Sequence, residues 1–173
     1  MLPRLASQRL PPENPAQDAV VGVRGICRVC GGLPHLKQQH ETATEVASYL
    51  ETRPEIKAVM HPPLSSFPQH EEWKDGFTGA NSLVPIEFRD GLPKGYSATF
   101  QNALAEQGMI TVGDGYGGSF SLVRGFDPQK WRKVTKPLQT GECVRLYLGH
   151  EDPRQIKTHI ERALEKANRT HGI

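Results

Sequence analysis

No stretch of the 173-residue chain is one long apolar run, and the ~18 consecutive apolar residues that a bilayer span requires are nowhere approached. The first residues also lack the apolar block of a secretory signal, so the expected location is the cytoplasm and not an exported or membrane-inserted state. Charge of neither sign dominates: 21 Lys and Arg face 19 Asp and Glu, a formal net charge of +2. With no Lys/Arg run and no dense basic patch, nucleic acid and anionic membranes are not expected as partners. Cysteine is scarce as well. The three present, Cys27, Cys30 and Cys143, are an odd number in a chain without an export signal, which suits a reducing compartment better than a disulfide framework. There is no internal repeat. A chain of this length holds one domain with its own core.

What is present divides into a polar leader and a patterned body. Residues 1–17 carry Pro3, Pro11, Pro12 and Pro15 among polar residues, a composition that buries too little apolar surface to order itself, so it reads as a disordered leader. From residue 18 to 173 the chain reads as one domain. Ala19 to Val23 is a short apolar run. His40 to Glu51 reads as a helix with Ala43, Val46, Ala47 and Leu50 on one stripe. Ile56 to Met60, Ser82 to Phe88, Met109 to Val112 and Cys143 to Leu148 read as four strands, and Pro85 marks the second as an edge or a bulge. Leu64 to Asn81 reads as a long loop anchored by Trp73 and Phe77. Tyr96 to Gln107 is a second helix. The last helix starts with Asp152 as N-cap and Pro153 at its first position, and buries Ile156, Ile160, Ala163, Leu164 and Ala167. Strands and helices interleave without regular βαβ spacing. The expected fold is therefore α+β, a mostly antiparallel four-stranded sheet with helices packed on one face.

Few spacings carry chemistry on their own. Cys27, Cys30, His35 and His40 have the order of a small zinc knuckle, since thiolate and imidazole are the ligands zinc prefers, against the plainer reading of free thiols. Gly113, Gly115 and Gly118 formally fit a dinucleotide fingerprint after a strand. Arg124 to Pro128 breaks any helix that should open there, however, and an ordinary glycine turn is the simpler reading. His61, His70, His150, His159 and His171 form no catalytic spacing, and no Gly-x-Ser-x-Gly elbow presents a serine nucleophile.

Five segments together say more. They are Asp18-Ala19 leading to Arg24-Gly25; His40-Glu41 with Val46-Ala47 and Leu50; Arg53-Pro54-Glu55 with Val59 and His61-Pro62; Gly117-Gly118 with Ser121-Leu122; and Val144-Arg145-Leu146 with Gly149, Glu151 and Asp152. In order and spacing they resemble the C-terminal small domain of the Cys/Met-metabolism pyridoxal-phosphate enzymes of fold type I. The stretch from His70 to Ala80 is most similar to the cystathionine β-lyase branch. That resemblance implies a carbon–sulfur lyase of transsulfuration and methionine biosynthesis, converting cystathionine to homocysteine, pyruvate and ammonia, with pyridoxal 5′-phosphate as electron sink.

The resemblance also implies what each residue does. Arg145 matches the arginine that grips the substrate α-carboxylate, a task suited to a planar guanidinium with paired donors. The plainer reading pairs it with Glu151 or Asp152 on the outer face of its strand. Gly115 and Tyr116 fall at the wall of the substrate site, where the β-lyase branch carries a serine and a tryptophan, and Phe120 stands where it has a glutamate. The Ser-x-Thr-Lys motif that bears the imine lysine is not found in these residues; Val134-Thr135-Lys136 lacks the serine. No catalytic residue is therefore assigned, and the cofactor is not expected to bind covalently to this chain. Three function classes follow: the C-terminal part of a lyase, inactive alone; a regulatory or interaction module derived from that domain; or a zinc-binding module through Cys27, Cys30, His35 and His40. The partners expected are an amino-acid substrate in the full-length family and either a second copy or a chain bearing the cofactor domain.

Overall fold

The computed structural model describes residues 32–115, 118–131 and 141–173. The unit set out below is His35–Ile173. The leader, the apolar run from Ala19, Arg24-Gly25, Cys27, Cys30 and Tyr116 lie outside the described residues.

The last helix shows how sequence becomes element and then layer. α5 (Pro153–His171) begins because Asp152 accepts a hydrogen bond from the Arg154 amide at 2.8 Å while Pro153 needs no amide partner. Its stripe of Ile156, Ile160, Ala163, Leu164 and Ala167 is buried. α1 (Gly32–Glu51) supplies Ala43, Val46, Ala47 and Leu50, all fully buried, and Lys157 of α5 reaches Glu45 of α1 at 2.7 Å. α3 (Tyr96–Ala105) adds Tyr96, Phe100, Ala103 and Leu104. Its first turn is capped from a distance, because the Gly95 and Ser97 amides donate to the Glu142 carboxylate at 2.6 and 2.8 Å. Burial pushes the Glu142 carboxyl up, yet these amide bonds outweigh it and hold it below its ordinary value.

Beneath the helices lies one sheet of β1 (Ile56–Val59), β2 (Leu83–Phe88), β3 (Thr111–Val112), β4 (Leu122–Phe126) and β5 (Cys143–Tyr147). The spatial order is β1-β2-β5-β4-β3, antiparallel throughout except for the parallel β3–β4 edge. Val84, Ile86, Phe88, Val123, Val144 and Leu146 point into the core that the helical stripes share. The class is the expected one: mostly antiparallel α+β with helices over one face.

Four expectations change in detail. Among the described residues the sheet has five strands, not four, because Leu122 to Phe126 forms a strand despite Gly125. Val123 is fully buried, and the Gly125 amide donates to the Gln101 side chain at 2.5 Å. β2 is not at an edge: it lies between β1 and β5, and the irregularity falls in β1 between Ile56 and Ala58, while the Pro85 carbonyl accepts from the Met60 amide at 2.8 Å. The stretch read as a loop contains α2 (His70–Gly76), in which Trp73 is half-buried; beyond it Phe77 is 65% exposed and anchors nothing in the core. α1 begins at Gly32, before His40. A short α4 (Pro128–Trp131) follows β4. Among the described residues no helix is long and apolar enough to cross a membrane.

Candidate functional site

Alternation along β5 decides what faces away from the helices. Val144 and Leu146 are buried in the core, so Cys143, Arg145 and Tyr147 occupy the opposite face. Register then sets their neighbours. Arg145 stands opposite Pro85 of β2 and Arg124 of β4; Tyr147 stands opposite Leu83 and Leu122; Cys143 stands opposite Glu87 and Phe126. Two arginines thus lie side by side on the central strands of this open face, part-exposed while Cys143 and Tyr147 on either side of Arg145 are buried.

A single carboxylate joins them. Asp114 Oδ1 accepts from Nη2 of Arg145 at 3.1 Å, and its Oδ2 lies 3.5 Å from Nε of Arg124. Asp114 sits in the glycine turn after β3, which is fixed to β4 by hydrogen bonds from the Thr111 amide to Ser121 and from the Gly113 amide to Val123, both 3.2 Å. No helix opens after Gly118; β4 follows instead, as a glycine turn and not a dinucleotide site would have it. Where Arg145 was expected to meet Glu151 or Asp152, its ion pair here is with Asp114. Asp152 caps α5, and Glu151 accepts from the Ser121 amide and hydroxyl, both at 2.7 Å.

The far side of the turn is held by a part-buried polar cluster. The Tyr147 hydroxyl donates to the Gly118 carbonyl at 2.7 Å, and the Gln39 amide donates both to that hydroxyl at 2.8 Å and to the same carbonyl at 3.1 Å. Strand β5, helix α1 and the residues leading into β4 are tied together here, so Arg145 has fixed surroundings.

Of the residues singled out from sequence, Gly115 lies beside Asp114 on the site, where an added Cβ would meet Leu122 Cδ1 at 3.2 Å, while Tyr116 falls outside the described residues. Phe120 is 76% exposed. His35 and His40 sit on α1, where five residues of helix turn them about 140° apart. His35 stacks on His150 at 4.6 Å, and His40 Nδ1 accepts from the Ala80 amide at 3.3 Å. Cys143 is no nucleophile: burial, and then the charges of Glu87 and Asp127, push its thiol up to about 12. His61 is wholly enclosed, and burial pulls its imidazole down to about 4, so it is neutral and part of the core. Asp114, Arg124, Gln39 and Tyr147 were given no role in the site from the sequence. The alternation Leu122-Val123-Arg124, hidden by the glycine after it, was the signal that could have placed Arg124 beside Arg145.

Comparison with known proteins fits this geometry. Residues 12–165 match the family model described as Cys/Met metabolism PLP-dependent enzyme. An L-alanine/L-glutamate racemase of Wolbachia pipientis is 32% identical over 76% of this chain and 32% of its own length. A cystathionine β-lyase of Bordetella avium is 30% identical over 88% of the chain and 37% of its length. Among solved structures, an O-acetylhomoserine sulfhydrylase of Wolinella succinogenes superposes with a TM-score of 0.60 at 27% identity, over 75% of this chain and 34% of that one. The 173 residues thus span about a third of these relatives.

Proposed function

Because the chain belongs to the Cys/Met-metabolism, pyridoxal-phosphate-dependent enzyme family, we propose that it supplies the part of a carbon–sulfur lyase that grips the substrate's carboxylate, most like that of cystathionine β-lyases. One observation carries the reading: Arg145, on the central strand and facing away from the core, holds a carboxylate in the structure, that of Asp114. A guanidinium so placed orients an α-carboxylate by paired hydrogen bonds, and its strand neighbours keep it from turning. The cystathionine β-lyase named among the relatives supports the substrate class, as does the stretch His70 to Ala80, folded here as α2 and the turn after it.

The described residues do not supply the cofactor's covalent seat: the Ser-x-Thr-Lys motif of the imine lysine is not found among them. Six of the seven described lysines (Lys37, Lys57, Lys74, Lys130, Lys157 and Lys166) lie within ion-pair distance of a carboxylate, and Lys94 follows Pro93 in the turn before α3 and not that motif. No step of the reaction is therefore assigned to these residues. In this reading the domain begins near residue 18, works in the cytoplasm on sulfur amino acids of transsulfuration and methionine biosynthesis, and is completed by a cofactor-bearing chain or a second copy. The purified 173-residue chain, mixed with pyridoxal phosphate and cystathionine, is expected to give no imine absorbance band and no pyruvate. Turnover by the chain alone would sink this division of labour.

A further inference from the structure

We propose that Arg124 is a second carboxylate-binding residue of this site, and that Asp114 is its resident occupant, a built-in competitor that a substrate carboxylate must displace. The inference rests on the reading of Arg145 given above.

Three observations converge on it. First, Arg124 and Arg145 are direct partners in the antiparallel register. Like charges placed so repel, and a sheet that keeps them adjacent needs something to offset the repulsion. Second, what offsets it is shaped like a ligand: one carboxylate offers Oδ1 to Nη2 of Arg145 at 3.1 Å and Oδ2 toward Nε of Arg124 at 3.5 Å. A carboxylate has acceptor sites enough for two guanidiniums, so the Asp114 side chain stands in for the carboxylate of an amino acid. Third, the backbone around Asp114 is built to bring it there. A Cβ on Gly113 would meet Leu122 Cδ2 at 3.3 Å, and one on Gly115 would meet Cδ1 at 3.2 Å. Both glycines let the turn lie close on Leu122, two residues from Arg124 on the same face of β4, where a Cβ would require the Leu122 methyls to give by a few tenths of an ångström.

Exposure tells which member yields. The Arg145 side chain is 28% exposed, Arg124 50% and Asp114 63%. The arginines are the floor and Asp114 is the outer, movable group. Ion pairs this exposed are weak, so Asp114 is displaceable by a ligand carboxylate. When it binds, its oxygens take the positions of Oδ1 and Oδ2, and Asp114 swings to solvent. The device raises the threshold for weak carboxylates and favours ligands that bring further contacts of their own.

Sodium acetate is the probe, titrated into the ¹⁵N-labelled 173-residue chain at constant ionic strength by replacing chloride, with the Arg Nε–Hε resonances as readout. In Asp114→Asn the apparent dissociation constant for acetate should fall at least about threefold, while the response to chloride at varied total salt stays as in the parent. Adding Arg124→Gln to Asp114→Asn should remove most of that gain. A threefold gain for chloride as well would show a general field effect and overturn the proposal, as would an unchanged or weakened acetate affinity in Asp114→Asn. Arg145→Lys separates the two levels. If it leaves acetate binding unchanged, the carboxylate role of Arg145 is itself wrong; if it abolishes binding while Asp114→Asn changes nothing, only the competitor role fails. Retained dispersion of the amide spectrum in each variant shows that the fold is intact.

Discussion

Val144 and Leu146, and between them Arg145, share one strand but are held in place by different physics. The first two lie fully buried among Val84, Ile86, Val123 and the stripes of three helices. Arg145 looks outward onto Arg124 and is held by a carboxylate from a glycine turn. The inner face is stabilised by burial, which tolerates approximate shape and punishes lost volume. The open face is arranged by register and charge, which add little to stability and a great deal to what can bind. Substitutions on the two faces should therefore separate folding from recognition.

The largest effect belongs to the inner face. Phe100 is fully buried and meets Phe88 edge-on, with ring centroids 5.4 Å apart. Phe100→Ala removes that contact and leaves a cavity, and is expected to lower unfolding stability by about 3–5 kcal/mol in urea denaturation. A loss under about 1 kcal/mol would mean that α3 does not pack on the sheet as described.

Next comes a dependence on pH from inside the core. His61 is enclosed, its Nδ1 placed to donate to the Leu83 carbonyl at 3.3 Å, and burial lowers its pKa from 6.5 to about 4. Between those values the unfolded chain binds the proton and the folded chain does not. The contribution of neutral His61 is therefore intact above about pH 6.5 and is lost as pH falls toward 4, up to about 3 kcal/mol in all. Urea midpoints from pH 7 to 4.5 should fall, and His61→Gln should flatten the slope over that window. An equal slope in the variant would assign the acid sensitivity to other groups.

Third is a position where the faces meet. A Cβ on Gly149 would run into the Ser119 carbonyl and into Glu151 Oε2, the latter at 2.7 Å. The carbonyl is backbone and already accepts from the His150 amide at 3.0 Å, so it cannot swing aside. Gly149→Ala is expected to destabilise by about 1–3 kcal/mol in the same assay and to loosen the Ser121–Glu151 hydrogen bonds that carry β4 past Arg145. A neutral result would show that the turn relaxes freely.

These expectations also mark how far the sequence could be read. The stripes of α1, α3 and α5, the Asp152 cap and the alternation of β5 were visible because burial writes a period of 3.6 or 2 into the residue order. Arg145 was visible through its motif. Asp114 and Arg124 were not, since their meeting depends on the pairing of β4 with both β3 and β5, which no local pattern records. Gly125 concealed β4 by reading as a breaker, when its missing side chain serves a close approach to Gln101, whose Oε1 would lie 3.3 Å from an added Cβ. Glu142, which caps α3 from 45 residues away, was hidden for the same reason.

The smallest expected effect on stability is at Arg145 itself, and it bears most directly on the contrast between the faces. Arg145→Gln removes a partly exposed ion pair to Asp114, an interaction of roughly 0–1 kcal/mol, and at the same time relieves the repulsion from Arg124 opposite, which is of similar size and contrary sign. Asp114 keeps Arg124 as a partner at 3.5 Å. The net change in unfolding free energy should lie within about 0.5 kcal/mol, and salt should shift the variant's urea midpoint no more than the parent's. Acetate binding, in contrast, should be lost. If the variant instead lost more than about 2 kcal/mol, Arg145 would be a structural residue of the sheet, and the open face would owe its order to the same kind of interaction as the core.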